Sequence, residues 1–312
     1  MKRFYAIVLM SLATQAQAAE KMTVMLDWYV NPDHGPIIVA QQLGYFKDVG
    51  LDVNIIAPSD PSDPPKMAAA GKVDVAVGYQ PQLYLQHAGG LPLVRVGTLV
   101  DSPLYCLLTT ADGPIKTIAD LKGRKIGYSV PGVEEAMVDT ILKHGGVDPK
   151  DVSMVNVNFS LVPALASGQV DAVSGAFRNF EPHQLAALGK AGKCFNAEDN
   201  GVPAYDELIY EANPATMNRD LIARFLKATE RAAAEIAADP AAGWNAYKSY
   251  AKDLDDPLNK LAWADSIAHF DAHPAALDTA RYAAFGAFMK DAGLIPAVPA
   301  VSDIAVDVTK AH

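Results

Sequence analysis

The chain has 312 residues, of which 50% are hydrophobic and 20% are charged, a composition that is ordinary for a globular protein. It excludes a disordered, collagen-like or disulfide-scaffold protein, and the length predicts about two domains. The 26 basic residues against 36 acidic ones give a net charge of −10, which argues against nucleic acid as a partner. Two cysteines are too few for a metal site built from paired CxxC motifs, and we predict no metal site.

The first residues have the pattern of an export signal. The opening MKR carries two positive charges, residues 4–12 form a short apolar run, and residues 16–18 (AQA) match the small-x-small site that signal peptidase reads. We therefore predict a signal peptide over residues 1–18, cleaved after Ala18. The apolar run is shorter than the roughly 20 residues needed to cross a bilayer, and we predict no membrane span after it.

The next segment alternates short, valine-rich strands with helices. Strands are predicted over residues 21–26, 51–57, 73–77 and 94–100. Pro36 fits the first turn of a helix, where its missing N–H group does no harm, and a short helix is predicted over residues 66–70. Short apolar strands of this kind are typical of parallel sheets that are covered on both faces.

A second block repeats the alternation. Strands are predicted over residues 104–110, 125–129, 152–157, 170–176 and 193–197, with helices over 118–121, 133–144 and 161–167. A strand over residues 207–211 should return the chain to the first block, and the remainder is predicted to be helical. Two α/β halves joined by two crossings predict two lobes with a ligand cleft at the carboxyl ends of their strands.

The lobe boundaries follow from the two crossings. We assign residues 19–101 and 205–312 to lobe I and residues 102–204 to lobe II. Ser102-Pro103 and the segment 203–205 are the predicted hinges.

Two stretches of the sequence are narrower than ordinary fold motifs: residues 26–36 (LDWYVNPDHGP) and residues 175–181 (GAFRNFE). Broader motifs, which indicate only a fold, are GYF at 44–46, GLD at 50–52, GKVD at 71–74, LKG at 121–123 and GQVDA at 168–172. Together these motifs resemble the ThiY-like branch of the type II periplasmic solute-binding proteins of ABC importers. The resemblance implies an α/β fold with two lobes, a central ligand cleft and C-terminal helices.

The same resemblance implies a function. ThiY-like proteins deliver a thiamine-precursor pyrimidine, of the formylaminopyrimidine or hydroxymethylpyrimidine type, to an importer permease that works with an ATPase. The resemblance therefore implies a periplasmic monomer that binds a small molecule. It also implies no cofactor, no catalytic activity, and membrane contact only through the permease.

An enzyme of the same family is less favoured. Eukaryotic relatives that make hydroxymethylpyrimidine phosphate carry a lysine that binds pyridoxal phosphate and a histidine four residues later. Gly78 and Gln82 occupy those positions here, and the CCCFC run of those relatives is missing from residues 202–213. Because Gly78 has no side-chain amine with which to form a Schiff base with pyridoxal phosphate, we expect no synthase activity.

A binding protein of the same fold could also take a sulfonate, a nitrate or a flavin as its ligand. Glu134 and Glu135 lie in the first turn of the helix predicted over residues 133–144. We expect them to stabilise that helix and to neutralise part of its positive end, which otherwise attracts anions. An anionic ligand is thereby disfavoured, whereas a flavin stays open.

The candidate ligand-binding residues follow predicted strands at their carboxyl ends. They are Asp27, Trp28, His34, Tyr79 and Gln82 in lobe I, and Phe177, Asn179 and Glu181 in lobe II. Aromatic rings offer flat faces for stacking on a planar heterocycle. Carboxylates accept hydrogen bonds from an exocyclic amine, and amides both donate and accept.

Structural roles stay open for several candidates. These roles are Trp28 as a core residue, Asp27 as a cap, His34 as a loop histidine bonded to backbone, Tyr79 as a rim residue, and Glu181 before Pro182 as a turn acid. Arg178 is expected to neutralise Glu181 or to close the cleft through an interlobe salt bridge. Cys106 and Cys194 fall in strands that neighbour each other in the type II topology, so both a disulfide and two buried thiols are open.

Overall fold

The computed structural model describes residues 18–310 of the chain. The predicted signal peptide thus lies outside the described residues, apart from Ala18. The strands are β1 (Glu20–Met25), β2 (Leu51–Ile56), β3 (Val75–Gly78), β4 (Val94–Val100), β5 (Tyr105–Thr110), β6 (Lys125–Tyr128), β7 (Ser153–Asn156), β8 (Ala172–Phe177), β9 (Gly192–Asn196) and β10 (Leu208–Ala212).

Helices cover both sheets and make up most of the chain after β10. They are α1 (Gly35–Gln42), α2 (Tyr45–Asp48), α3 (Asp63–Ala69), α4 (Gln80–Ala88), α5 (Val133–His144), α6 (Leu161–Ser167), α7 (Glu181–Ala187), α8 (Arg219–Ala238), α9 (Pro240–Lys248), α10 (Pro257–Ser266), α11 (Thr279–Asp291) and α12 (Val301–Ile304). Between residues 18 and 310, no helix is both long and apolar enough to cross a membrane.

Two five-stranded sheets organise the described chain. The first has the order β2-β1-β3-β10-β4 and the second has the order β7-β6-β8-β5-β9. In each sheet four strands run in the same direction, and β10 in the first sheet and β5 in the second run antiparallel to their neighbours. The predicted α/β class and the return of the chain to the first sheet are confirmed. We refer to the parts built on these sheets as the first unit and the second unit.

The chain passes between the sheets twice, in the segment between β4 and β5 and in the segment between β9 and β10. Glu207 joins these crossings, because its Oε2 accepts hydrogen bonds from the backbone N–H groups of Leu104 (2.6 Å) and Tyr105 (2.8 Å). Arg281 from α11 donates to the carbonyl oxygens of Asp101 (2.7 Å) and Tyr205 (3.2 Å). The two crossing segments are therefore held side by side.

Helix α8 shows how apolar spacing fixes the core. Ile222, Phe225, Leu226 and Ile236 share one face and are buried in the cluster that covers the first sheet. Full burial of each such side chain stabilises the fold by about 1.5–3 kcal/mol. Asn218 caps the N-terminus of this helix, because its side chain accepts a hydrogen bond from the backbone N–H of Leu221 at 3.1 Å.

Helices α4 and α7 follow β3 and β8, where no helix was predicted. Tyr79 is extended (φ −119°, ψ 133°), and the helix that follows it has Pro81 in its first turn. Pro182 occupies the same place in α7. Proline is well suited to this position, because its fixed φ is helical and its missing N–H group has no partner there in any case. Gln82 and Glu181 consequently lie on helices rather than in loops.

The two cysteines lie on adjacent antiparallel strands of the second sheet. In β5 and β9, Leu108 stands opposite Cys194. Cys106 and Cys194 are joined by a disulfide, with Cα atoms 5.4 Å apart, which is within the usual range for such a bond. The disulfide therefore ties the edge strand β9 to its neighbour β5.

Candidate ligand-binding site

A cavity lies between the two units, lined by residues that follow strands of both sheets. Its empty space measures about 630 Å³, part of which is open to solvent. The aromatic residues in its wall are Trp28, Tyr79, Tyr105, Phe177, Phe180 and Tyr205, and the acidic ones are Asp27, Asp33, Glu134, Glu181 and Glu207. None of the described residues that line it is Lys, Arg or His. The wall therefore suits an aromatic ligand rich in hydrogen-bond donors.

Asp27 follows β1 and is held by two side chains. Its Oδ1 is 2.9 Å from Nε2 of His34, and its Oδ2 accepts a hydrogen bond from the Tyr79 hydroxyl at 2.7 Å. His34 Nδ1 accepts from the backbone N–H of Asn31 at 3.3 Å, so Nε2 carries the proton and donates to Asp27. Burial, reinforced by the Asp27 carboxylate, raises the pKa of Tyr79 well above its usual value. Tyr79 thus remains a donor.

Aromatic rings from both units meet at the cavity. Trp28 is buried and packs edge-on against Phe159, with ring centroids 4.5 Å apart. Tyr79 and Phe177 lie on opposite units, with centroids 6.4 Å apart and ring planes at 86°. The structure therefore brings the three predicted aromatic residues, Trp28, Tyr79 and Phe177, to the same cavity.

Two glutamates of the second unit contribute carboxyl groups to the wall. Glu181, the first residue of α7, accepts a hydrogen bond from the backbone N–H of Phe177 at 2.7 Å. Glu134 was expected to stabilise α5 and to neutralise part of its positive end, and it also lines the cavity. Burial raises the pKa of both groups to about 8, although their bonds to backbone N–H groups act in the opposite direction. Such a carboxyl group can accept from an amine or, when protonated, donate to a ring nitrogen.

Asp33 and Glu207 complete the acidic wall. Burial raises the pKa of Asp33 to about 6 and that of Glu207 to about 7. Glu207 also accepts a hydrogen bond from the Tyr205 hydroxyl at 2.9 Å. Within residues 18–310, no cluster of three or more His, Cys, Asp or Glu side chains is arranged to hold a metal ion.

Three predicted site residues do not line the cavity. His34 is fully buried behind Asp27, and Gln82 is buried on α4. Asn179 forms a contact between the units: its Nδ2 donates to Asp33 Oδ1 at 2.5 Å and to Ser266 Oγ at 2.7 Å. We refer to Asn179, Asp33 and Ser266 as the interunit latch.

Arg178 takes neither of its expected roles. Its guanidinium forms two bonds with the Glu198 carboxylate, at 2.5 Å and 2.6 Å, within the second unit. It also donates to the carbonyl oxygen of Leu104 at 3.3 Å. Arg178 thus fixes the first crossing rather than neutralising Glu181 or bridging the cleft.

Several wall residues were not among the candidates predicted from the sequence. Asn31 and Asp33 lie within the LDWYVNPDH stretch, so that motif contains two wall residues besides the predicted ones. Tyr205, which lies in the predicted hinge segment 203–205, and Glu207, two residues after it, are on the second crossing. Because two crossings between α/β units necessarily pass beside the cleft, their side chains are natural wall residues.

The fold is that of the periplasmic binding proteins. The alkanesulfonate-binding protein of Xanthomonas axonopodis pv. citri, solved with MOPS, has a TM-score of 0.73 at 16% identity, covering 93% of this chain and 99% of that one. A Candida albicans protein described as having the generic periplasmic binding protein fold has a TM-score of 0.70 at 17% identity, covering 93% of this chain and 96% of that one. The NMT1/THI5-like family model matches residues 31–243, and the chain belongs to that family.

Three relatives that match most of this chain are named for thiamine biosynthesis, for pyrimidine binding or for pyrimidine phosphate synthesis. A Haemophilus influenzae protein named for thiamine biosynthesis is 49% identical over 98% of both chains. The formylaminopyrimidine-binding protein of Halalkalibacterium halodurans is 34% identical, covering 86% of this chain and 77% of its own length. A 4-amino-5-hydroxymethyl-2-methylpyrimidine phosphate synthase of Saccharomyces cerevisiae is 29% identical, covering 82% of this chain and 78% of its own.

Proposed function

We propose that this chain is the solute-binding component of an ABC importer and carries a thiamine-precursor pyrimidine of the formylaminopyrimidine or hydroxymethylpyrimidine type. The observation that carries the proposal is the cavity wall, which combines stacking rings with carboxyl groups and has no basic residue among those described. The name of the Halalkalibacterium relative supports the same class of ligand.

In the proposed pose the pyrimidine ring stacks on Trp28, with Tyr79 or Phe177 on its other face. Glu181 receives the exocyclic amine, because its carboxyl group lines the cavity while holding one backbone N–H group. Asp27 is fixed by His34 and Tyr79 and offers a second acceptor through its remaining lone pairs.

The location and the partner belong to the same proposal. The protein is exported to the periplasm after cleavage following Ala18, and its two lobes are residues 19–101 with 205–312 and residues 102–204. They close on the ligand by bending at the two crossings, and the closed form presents the ligand to the permease.

A binding role is favoured over a synthase role by the surroundings of Gly78. A Cβ atom added to Gly78 would lie 2.6 Å from Oε2 of Glu211, a side chain that is completely buried. The position at which the resemblance implies a cofactor-binding lysine in the synthases is therefore filled from behind by a carboxyl group. No side chain fits there without moving Glu211.

Calorimetric titration of the mature protein with an aminopyrimidine, riboflavin and taurine tests the proposal. Only the aminopyrimidine should bind tightly. Loss of the stacking ring in Trp28→Ala should cost about 1–3 kcal/mol, by analogy with base–aromatic stacking. Glu181→Gln removes one acceptor oxygen and places an NH2 donor beside the exocyclic amine, which should cost about 1–3 kcal/mol because a buried donor is left unpaired. Each change corresponds to a loss of affinity of roughly 10- to 100-fold.

Two controls make this result interpretable. Glu235→Gln removes an exposed acid on α8 that does not line the cavity, and it should bind like the wild type. The melting temperature without ligand must be measured for Trp28→Ala, because Trp28 is buried. Tight binding of taurine or riboflavin, with no pyrimidine binding, would refute the proposed ligand.

A further inference from the structure

Glu134 uses both oxygens of its carboxyl group to hold backbone N–H groups that precede its own helix. Its Oε2 accepts a hydrogen bond from the backbone N–H of Ser129 at 2.8 Å, and its Oε1 accepts from that of Val130 at 3.1 Å. Both donors belong to the turn that leads into α5, whose second residue is Glu134 itself. The side chain is 6% exposed and lines the cavity.

Strand β8, which faces the Glu134 side chain, leaves room for this carboxyl group at a glycine. Gly175 on β8 has φ +78°, and a Cβ atom there would overlap the Glu134 carboxyl group. Glu135, the next residue along α5, accepts from the backbone N–H of Gly132. The N–H groups of residues 129, 130 and 132 are thus taken by side chains of the helix they precede.

Backbone N–H groups at the start of a helix are a common binding place for phosphate and sulfonate groups. In this cavity an internal carboxyl group holds two of them, and the other acids of the wall are Asp27, Asp33, Glu181 and Glu207. An anionic group entering the cavity would have to displace Glu134 and then lie among carboxylates. Displacing Glu134 leaves a buried carboxyl group without its hydrogen-bond donors, and each wall carboxyl group that is ionised repels the anion as well.

We propose that Glu134 is a specificity-determining residue that makes the cavity reject anionic ligands, so that the protein carries the unphosphorylated pyrimidine and leaves its phosphate ester unbound. The inference rests on the proposed function, which names the pyrimidine. Burial raises the pKa of Glu134 to about 8, but its oxygens accept the two N–H groups in either protonation state. The exclusion therefore acts through the occupied donors in either protonation state of Glu134.

Calorimetry on the full mature chain with hydroxymethylpyrimidine and its phosphate ester tests the inference. The wild type should bind the ester at least about 100-fold more weakly than the alcohol, a difference of about 2.7 kcal/mol. Glu134→Ala frees both N–H groups and should reduce that ratio by about tenfold or more. Glu135→Ala is the matched control, since it removes an acid from the same helical turn that does not line the cavity.

A second arm does not depend on the pyrimidine. Melting temperatures are compared in sodium sulfate and sodium chloride of equal ionic strength. Sulfate should stabilise Glu134→Ala more than it stabilises the wild type or Glu135→Ala, because only that variant offers the two free N–H groups. If Glu134→Ala does not fold, Glu134→Gln serves in both arms, since it keeps the side-chain volume but accepts with one oxygen only.

The outcomes separate the inference from the proposed function. Equal binding of the alcohol and the ester by the wild type overturns the inference and leaves the pyrimidine assignment standing. An unchanged ratio in the folded Glu134 variant has the same meaning. Absence of any pyrimidine binding by the wild type overturns the proposed function, and the sulfate arm then decides the role of Glu134 by itself.

Discussion

Replacing Asn179 by alanine should weaken ligand binding much more than it weakens the fold. In the interunit latch, Asn179 Nδ2 bonds to Asp33 Oδ1 (2.5 Å) and to Ser266 Oγ (2.7 Å), and all three residues are buried. A neutral hydrogen bond contributes about 0.5–1.5 kcal/mol and one to a charged group about 1.5–3 kcal/mol. Burial raises the pKa of Asp33 to about 6, so this carboxyl is mostly ionised at pH 7. The loss should therefore be about 2–4 kcal/mol.

This loss of free energy should destabilise the closed form of the protein relative to the open form. The latch joins residues on opposite sides of the cavity, so separated units replace both hydrogen bonds with bonds to water. The dissociation constant for the ligand should therefore rise roughly 30- to 1,000-fold. The melting temperature without ligand should change little, since the two hydrogen bonds of Asn179 join the units and hold neither unit together by itself.

Calorimetry gives the affinity, and small-angle scattering gives the radius of gyration with and without ligand. The wild type should contract when saturated, and Asn179→Ala should require correspondingly more ligand to do so. Asn200→Ala is the control, because Asn200 Nδ2 donates to the carbonyl oxygen of Asn196 at 2.7 Å within the second unit. Wild-type affinity in Asn179→Ala, or a large fall in its melting temperature without ligand, would refute this reasoning.

Three further measurements test other features. Mass analysis of exported protein should give a chain beginning at Ala19, and an intact Met1 would contradict the predicted cleavage. Reduction of the Cys106–Cys194 disulfide, whose sequence separation is 88, should lower the free energy of unfolding by about 2–4 kcal/mol, and a variant with both cysteines replaced by alanine should ignore the reductant. Burial without a partner raises the pKa of Glu211 from 4.5 to about 8, so its stabilising contribution is complete below pH 4.5 and is lost as the pH rises through 8. Between pH 5 and pH 9, the melting temperature of Glu211→Gln should therefore fall less than that of the wild type. An equal fall in both proteins would contradict this assignment.

The strands of both sheets were predictable because they are short apolar runs with turn residues between them. Helix α5 was predicted with its observed bounds, Val133–His144, because its apolar residues recur at helical spacing. Helices α4 and α7 were missed although each has a proline in its first turn, the signal that had been used for Pro36. Polar residues after a strand are typical of a loop, but here Pro81 and Pro182 are the second residues of helices.

The site was predictable only in part, because strand ends place a residue near the cleft without fixing its partner. Asp27, Trp28, Tyr79, Phe177 and Glu181 line the cavity as predicted candidates. Asn179, in contrast, bonds to Asp33, which lies 146 positions away in the sequence. Contacts between side chains so far apart in the chain depend on how the two units meet, and no local pattern carries that information.

The position of Trp28 gives the molecule an internal optical probe. Trp28 follows the first sheet, yet its indole packs against Phe159 of the second unit. The other two tryptophans, Trp244 and Trp263, lie with ring centroids 6.1 Å apart among the C-terminal helices of the first unit. A movement that separates the units transfers one indole from an apolar contact to water and leaves the other two where they are. The emission wavelength of the unlabelled protein should therefore follow a single ring, and with it the occupancy of the cavity in real time.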